Sequence, residues 1–355
     1  ERSELGLSQF TLIDTNLFIS TKIVFGKEMK LSVIIPVYNC ESYIESCVAK
    51  VLALKEYCEC SIILINDGSA DDSLKSCRNL KERYPSHIFV KNQRNQGASA
   101  ARNNGLVSVD GDYVWFVDAD DEINPEIIST LIQVANKHEP DILAFNYSSV
   151  VKETRTDVIL YNKEEKIDGL TYLSRLNPSM YLWNKWFSSK LIGECRFLDG
   201  TKNIEDFLFC AEVIRKAQDI CTVPRVGYYY NCNNQASTSR SRSAENLKKL
   251  SEDSITVHKA LNNIIQATEE NERNILLNLL DCSIAGHLYS LLMYYPLSSL
   301  REVIKEYKQM GFYPVRKSNN SRSNLFLLVA NHPTLLTITY YLIRLMRKLT
   351  ALFRD

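Results

Sequence analysis

The chain has 355 residues, with 42 basic and 42 acidic side chains and a hydrophobic fraction of 45%. This length allows one large domain or two of ordinary size, and the apolar content is sufficient for a buried core, which excludes a disordered chain. The charge balance argues against a general nucleic-acid binder. The 10 cysteines are scattered, which indicates reduced thiols rather than a disulfide framework.

Residues 1–28 lack the features of a signal peptide. Glu1 and Glu4 remove the basic start, and Asp14 interrupts the apolar run. Met29 stands immediately before the first convincing strand. We therefore expect Met29 to be the natural start and residues 1–28 to be a non-native or disordered extension.

Strand and helix patterns alternate from residue 31 to residue 147. Runs of apolar and β-branched residues predict five buried strands, at residues 31–37, 61–65, 88–90, 113–117 and 141–147. Helical patterns separate them, at residues 41–54, from Asp71 onward and at residues 96–107. The alternation predicts an α/β fold, with a mostly parallel sheet flanked by helices.

Polar residues follow three of these strands, and ligands bind at the carboxyl ends of strands in open α/β sheets. The three ends are Tyr38-Asn39, Asn66-Asp67 and the carboxylates Asp118, Asp120 and Asp121. Crowded carboxylates call for a cation, and hard oxygen ligands suit Mg²⁺ or Mn²⁺. The alternative is a polar turn before a helix that starts at Asn124-Pro125. The sequence has neither Gly-x-Gly-x-x-Gly after the first strand nor a P-loop, which excludes the corresponding nucleotide sites.

Four motifs together carry a family resemblance. They are Val33–Asn39 (VIIPVYN), Asn66–Ser69 (NDGS), Asn95–Asn103 (NQGASAARN) and Phe116–Asp121 (FVDADD). In this order and spacing they resemble the inverting family 2 glycosyltransferases of the GT-A fold, a Rossmann-like architecture. The resemblance implies a GT-A domain over residues 29–240, with a nucleotide-sugar half at 30–150 and an acceptor half at 150–240.

The resemblance also implies roles on the donor side. Pro36, Tyr38 and Asp67 match residues that hold the nucleobase and ribose, while Asn95 and Arg102 match a segment that closes over the nucleotide. Asp118 and Asp120 match the Asp-x-Asp motif that bridges Mg²⁺ or Mn²⁺ to the diphosphate, and Asp118 also contacts the nucleotide sugar. Asp121 is not assigned to this set. The simpler alternatives are a turn residue for Asp67 and a solvated helix arginine for Arg102.

On the acceptor side, Asp206 matches the catalytic base and Glu205 a residue that orients the acceptor. The alternative is a pair of acidic residues that stabilises the first turn of a helix. Residues 180–191 resemble the acceptor-side Trp-x-Lys segment, so Trp183 and Lys185 are candidates to line the site, with Trp183 and Trp186 as a sugar-stacking platform. Aromatic residues at this spacing also suit a core. Ser237 and Arg240 are candidates for a mobile lid.

The remaining chain carries helical patterns, over a helical region at residues 241–330 and a basic amphipathic helix at residues 331–355. In this last helix, Leu335, Ile338, Leu342 and Leu345 share one face, and Arg344 and Arg347 lie mostly off it. Such a helix suits an anionic membrane surface. Docking on its own protein, or an oligomer contact, is the alternative.

The resemblance implies an inverting, metal-dependent hexosyl- or N-acetylhexosaminyltransferase. Its donor would be a nucleotide sugar, expected to be UDP-linked, and its acceptor a hydroxyl of a saccharide or lipid-linked glycan in capsule, exopolysaccharide or other cell-surface polysaccharide synthesis. We expect it at the cytoplasmic face of the cell membrane. The alternative from another class is a catalytically silent nucleotide-sugar-binding or scaffolding protein of the same fold.

Overall fold

The computed structural model describes residues 29–175, 177–234, 243–316 and 321–352. The described residues contain ten strands in one sheet. The strands are β1 Lys30–Val37, β2 Glu59–Asp67, β3 Ile88–Gln93, β4 Tyr113–Phe116, β5 Glu122–Ile123, β6 Ile142–Val151, β7 Thr154–Val158, β8 Glu165–Ile167, β9 Lys185–Ser188 and β10 Ile220–Asn231.

The helices lie on both faces of the sheet and then form a separate stack. They are α1 Ile44–Leu52, α2 Ser73–Arg83, α3 Ala98–Leu106, α4 Ile128–His138, α5 Gly169–Leu173, α6 Ser189–Ile192, α7 Glu205–Ile214, α8 Ala244–Gln266, α9 Glu270–Tyr294, α10 Leu297–Gln309, α11 Ser321–Ala330 and α12 Pro333–Leu352. Short 3₁₀ turns at Ala53–Glu56 and Pro125–Ile127 complete the set.

The strand order is β3-β2-β1-β4-β9-β6-β10-β5, with β7 beside β6 and β8 beside β10. The pairs β1–β2, β2–β3, β1–β4 and β6–β10 are parallel. The predicted α/β fold with a mostly parallel sheet and a helical C-terminal region is therefore confirmed. Residues 185–188, within the segment that resembles the acceptor side, form β9, which runs antiparallel between β4 and β6. Pairing with strands on both sides stabilises the extended conformation of this segment.

Alternate residues of β1 face two different cores. Val33 and Ile35 pack with α1, α2 and α4 on one face of the sheet. Ile34 packs on the other face with α3 and α7, and this second core continues into α8, α9 and α10. The helical C-terminal region therefore shares one hydrophobic core with the sheet. The domain boundary predicted at residue 240 lies outside the described residues.

Helix α9 is the central member of the C-terminal stack. Among the described residues it is the one single helix long and apolar enough to cross a membrane, with a mean hydropathy of 1.5 over its most apolar 18-residue window, 56% of which is buried. The two shorter helices α11 and α12 reach the same apolarity only as a pair bent by 104°. Leu276, Leu280 and Ile284 of α9 are fully buried, so α9 serves as a core helix here.

A buried polar contact ties three of these helices together. The Tyr307 hydroxyl of α10 lies 2.7 Å from Nδ1 of His258 on α8 and 2.6 Å from Nδ1 of His287 on α9. Burial lowers the pKa of both histidines to about 3, and the neighbouring His287 lowers the pKa of His258 further. Both rings are therefore neutral at physiological pH, and one hydroxyl satisfies both of them.

Candidate active site

The carboxyl ends of β1, β2 and β4 lie at one edge of the sheet. In the register, Val37 pairs with Asn66 and Ile34 with Phe116, so Tyr38, Asp67 and Asp118 follow neighbouring strand ends. The Tyr38 ring is 49% exposed there and presents a face for stacking. Pro36 is partly buried within β1, two residues before it.

Asp67 organises the loop beside Tyr38. It is 3% exposed, and its carboxylate accepts hydrogen bonds from the Gln93 side chain at 2.8 Å and from the backbone N–H groups of Gln96 and Gly97 at 2.9 and 2.8 Å. The loop carries Asn95, which is exposed. A side chain at Gly68, whose φ is +69°, would lie 2.7 Å from the Asn95 nitrogen. Asp67 is therefore a structural residue of this wall, and its contact with a nucleobase stays a prediction.

Arg102 of α3 connects the two walls of the site, the donor wall at the strand ends with Asp118 and the acceptor wall at the start of α7 with Glu205. Its guanidinium donates to Asp118 at 2.9 Å and to Glu205 at 2.7 Å, and the side chain is 8% exposed. Burial opposes the charge, but the Asp118 and Glu205 carboxylates outweigh it and raise the pKa of Arg102. The alternative of a solvated helix arginine is therefore wrong, because protein carboxylates occupy the fork of Arg102. Its place in a segment that closes over the nucleotide stays a prediction.

The turn after β4 is fixed by the end of β10. The Tyr228 hydroxyl donates to Asp121 at 2.8 Å and accepts from the Asp118 N–H at 3.1 Å, and the Asn231 N–H donates to Asp121 at 2.7 Å. Asn234 donates to the Asp120 carboxylate at 2.8 Å. The sequence analysis did not identify Tyr228 or Asn234 as site residues, because only tertiary pairing places them beside this turn.

The three aspartates have different environments. Asp121 is 2% exposed and both its oxygens are bonded; burial, followed by the charges of Asp118 and Asp120, raises its pKa well above the usual value. Asp118 and Asp120 are partly exposed. Within the described ranges no group of three or more His, Cys, Asp or Glu side chains has the geometry of a metal site. Asp118 and Asp120 alone fit Mg²⁺ or Mn²⁺, which use one or two carboxylates together with waters and substrate phosphates.

Glu205 and Asp206 form the first turn of α7, across from the aspartate turn. Asp206 is partly buried, and burial followed by the charge of Glu205 raises its pKa to about 7, although Arg102 opposes the shift. Ile204 immediately precedes this pair in a left-handed conformation, with φ of +51°. A β-branched residue in that region stores strain of about 1–3 kcal/mol, so the surroundings must hold it there.

Asp253 of α8 supplies that support. It is 1% exposed and accepts from the backbone N–H groups of Lys202 and Asn203 at 3.0 and 3.1 Å and from the Asn203 side chain at 2.9 Å. Lys249 pairs with its other oxygen at 2.8 Å. The C-terminal stack thus fixes the approach to the Asp206 turn. Asp253 was also missed, because its sequence context is an ordinary i, i+4 helix pair.

The predicted acceptor platform is wrong. Trp183 is 7% exposed and stacks on Tyr181 and Tyr228 at 4.7 Å, and Trp186 is fully buried. Trp183 and Trp186 therefore belong to the core, and neither presents a ring face to a sugar.

Lys185 does not line an accessible surface either. It is fully buried, where its ammonium donates to the Tyr181 carbonyl at 2.7 Å and the Asn184 side chain at 2.9 Å. Burial lowers the pKa of Lys185 to about 8. The proposed lid residues Ser237 and Arg240 lie outside the described residues.

The fold and the edge of the sheet define a class of protein, the GT-A glycosyltransferases. The crystal structure of S. aureus TarS 1-349 in complex with UDP-GlcNAc shares this fold, with a TM-score of 0.67 over 90% of this chain and 92% of that chain at 19% identity. Residues 32–196 match the model of Glycosyl transferase family 2. This stretch, just under half of the chain, therefore matches the family 2 glycosyltransferases, and the resemblance found in its motifs is confirmed.

Curated relatives carry the same family name. The chain is 35% identical over 206 residues to Glycosyltransferase GlyA of Streptococcus pneumoniae, covering 52% of this chain and 29% of the relative. It is 40% identical over 125 residues to the uncharacterized glycosyltransferase YibD of Escherichia coli, covering 35% and 36%. The poly(ribitol-phosphate) beta-glucosyltransferase of Bacillus spizizenii is 28% identical over 218 residues, covering 57% and 32%. The chain spans about a third of the length of each relative.

Proposed function

We propose that the chain is an inverting glycosyltransferase that moves a hexosyl or N-acetylhexosaminyl group from a UDP-sugar to a hydroxyl of a saccharide or lipid-linked glycan. The observation that carries the proposal is the Arg102 bridge, which couples Asp118 at the strand ends to the α7 turn bearing Asp206. The UDP-GlcNAc complex of the TarS neighbour supports the donor class. The name of the Bacillus spizizenii relative supports a cell-surface polymer as the setting.

The donor binds at the strand ends in this proposal. Tyr38 stacks on the base, Pro36 and Asp67 shape the base and ribose pocket, and Asn95 lies on the loop that Asp67 fixes. Arg102 does not reach the phosphate, because Asp118 and Glu205 hold its guanidinium. Arg102 instead keeps the Asp118 and Glu205 carboxylates at a fixed separation during donor binding and product release.

Asp206 is the base. With a pKa of about 7 it is partly deprotonated at neutral pH and still basic enough to accept a proton from an acceptor hydroxyl. The acceptor oxygen then attacks the anomeric carbon on the face opposite the diphosphate, the sugar–phosphate bond breaks, and the configuration inverts. Glu205, held in place by Arg102, contributes to the raised pKa of Asp206.

Asp118 and Asp120 would hold Mg²⁺ or Mn²⁺ at the strand ends. The bound ion supplies positive charge to the diphosphate as that group departs. Carboxylates outnumber cations at this place, because Arg102, the cation that contacts Asp118, also pairs with Glu205. This local excess of negative charge supports the assignment. Asp121 is excluded as a ligand, since Tyr228 and Asn231 use its oxygens.

Release of UDP from a panel of UDP-sugars, with Mn²⁺ and after chelation, tests this proposal. We expect a single donor to be turned over, and Asp120→Ala to reduce the rate by at least about a hundredfold. Asp72→Ala is the matched control, because Asp72 is exposed at the start of α2. Thermal stabilisation by a UDP-sugar without any UDP release, with or without candidate acceptors, would favour the silent binding protein.

We also propose that α12 holds the chain at the inner face of the cell membrane. One side of α12 docks on the protein through Leu336 and through Arg344, which donates to the carbonyls of Met293 and Tyr295 at 2.7 and 2.9 Å. The other side presents seven apolar residues that are each at least 45% exposed: Leu335, Ile338, Tyr341, Leu342, Leu345, Met346 and Leu349. The helix thus docks on its own protein and still presents an apolar face.

The expected basic face needs a correction. Arg344 and Arg347 donate to backbone carbonyls at the end of α9 rather than extending toward an anionic surface. Apolar burial must therefore provide most of the affinity. In sedimentation with phosphatidylglycerol vesicles, Leu342→Glu with Leu345→Glu should abolish binding, while Asn263→Glu, an exposed control on α8, should not. A wild-type chain that dimerises and ignores vesicles would contradict the membrane assignment.

A further inference from the structure

A cavity of about 440 Å³ lies between the sheet domain and the C-terminal stack. Its walls come from α5 and the segment after it, the N-terminal turn of α7, α8 and α9. The strand-end residues Tyr38, Asp67, Asp118 and Asp120 do not line it. Its size is within the range of small-molecule sites, so its chemistry can be examined separately from that of the donor edge.

The lining mixes apolar and polar side chains, with the apolar ones in excess, and carries no unbalanced charge among the described residues. Arg175 pairs with Glu165 at 2.6 Å, and His287 is neutral with its two nitrogens near Tyr307 and Ser251. The remaining walls combine hydroxyl and amide side chains with apolar ones, including Ser283, Ser290, Asn278, Phe207 and Met180. An anionic ligand would find no free cation among the described lining residues, and a hydrocarbon would bring no hydrogen-bonding group to the serine and asparagine side chains.

Gly286 opens the wall formed by α9. It lies inside a 25-residue helix, where glycine costs about 1 kcal/mol relative to alanine. A Cβ built at Gly286 meets no atom within 4 Å, so neighbouring groups do not demand a glycine for packing. The absent side chain leaves room along the cavity, since Gly286 lines it.

The cavity also reaches the candidate base. Ile204 and Phe207, the residues directly before and after Glu205-Asp206, both line it. A molecule in the cavity therefore lies against the turn that carries Asp206. A second cavity of about 460 Å³ shares Asn278 with the first and includes the Asp281–Arg316 ion pair, at 2.9 Å.

We propose that the cavity binds uncharged pyranose residues of the acceptor, next to the sugar whose hydroxyl meets Asp206. Pyranoses combine an apolar ring face, matched by Phe207 and Met180, with hydroxyls matched by the serine and asparagine side chains. The second cavity provides room for a longer chain. The inference deepens the proposed function and rests on it for the identity of the ligand as acceptor.

Calorimetric titration of the full chain with maltotriose and chitotriose tests the site without requiring turnover. We expect at least one trisaccharide to bind, and Gly286→Phe to weaken that binding by at least about tenfold, or 1.4 kcal/mol. Gly286→Ala adds a single methyl group to open space and should change the affinity by less than about threefold. Ser290→Trp, in the same wall, replaces Gly286→Phe if that variant does not fold. sn-Glycerol 3-phosphate, a charged probe, should not bind.

The outcomes separate this inference from the proposed function. Absence of binding by both trisaccharides, equal binding by wild type and the filled variants, or stronger binding of sn-glycerol 3-phosphate would overturn the inference. UDP-GlcNAc stabilisation should be the same in wild type and Gly286→Phe, because the donor edge does not line the cavity. A different result is that the chain binds a trisaccharide, that Gly286→Phe removes this binding, and that no UDP-sugar is bound or turned over. That result would support the cavity as a sugar site and refute the transferase.

Discussion

The two walls of the active site are built in different ways. The donor wall consists of loops that directly follow β1, β2 and β4. The hydrogen bonds of Asp67 stay within residues 67–97, and the turn after β4 is held by β10 of the same sheet. The acceptor wall, with Glu205 and Asp206, depends on Asp253 from a helix about fifty residues further along. The donor wall can therefore be formed by the sheet alone, whereas the acceptor wall requires the C-terminal stack.

The largest expected effect separates chemistry from donor binding. Asp206→Asn removes the proton acceptor, so transfer should fall by about a thousandfold or more, while stabilisation by the UDP-sugar stays unchanged. Transfer rate and thermal shift are the measurements. Glu212→Gln, on the same helix and paired with Lys216 and Cys195 rather than with a site residue, is the control. Undiminished transfer by Asp206→Asn would remove the residue as base.

Arg102→Lys breaks the contact between the walls. Lysine keeps the positive charge but lacks the forked guanidinium that pairs with Asp118 and Glu205 at the same time. A buried carboxylate therefore loses its partner. The free energy of unfolding should fall by about 3 kcal/mol in urea titration. Arg94→Lys, at an exposed position in the loop after β3, should leave it unchanged. A loss confined to activity would mean that the bridge does not stabilise the fold.

Asp253→Ala tests the acceptor wall alone. The three donors of Lys202 and Asn203 lose their acceptor, the Ile204 turn relaxes, and Asp206 loses its orientation. We expect kcat to fall by about tenfold with an unchanged KM for the UDP-sugar, and Asp253→Asn to recover part of the loss. Equal losses in kcat and in donor affinity would show that the two walls are not independent.

The smallest effect is on stability as a function of pH. An exposed aspartate titrates near pH 4, so between about pH 4 and 7 the folded chain, with the pKa of Asp206 at about 7, binds more protons than the unfolded chain. This group therefore destabilises the fold as pH rises through that window. At pH 8 Asp206→Asn should melt about 2–4 °C above wild type, and near pH 4 the difference should vanish. A difference independent of pH would contradict the raised pKa.

The sequence predicts the donor wall well and the acceptor wall poorly. Tyr38, Asp67 and Asp118 follow strands whose apolar runs are continuous, so their common edge can be derived from the alternation of strands and helices. Trp183 and Lys185 are candidates from the sequence, but both are buried, just before and at the start of a strand that pairs with β4 and β6. Tyr228 and Asp253 act through contacts across more than 45 residues, which no local pattern in a single sequence encodes.

The left-handed Ile204 has a consequence for engineering. Glycine would adopt its φ of +51° without strain, so Ile204→Gly should relieve part of the conformational cost of the turn. The same change would widen the range of directions open to the Asp206 carboxylate. Because Ile204 also packs against the core, the lost apolar contacts should offset the relieved strain, so that turnover falls with little gain in thermostability.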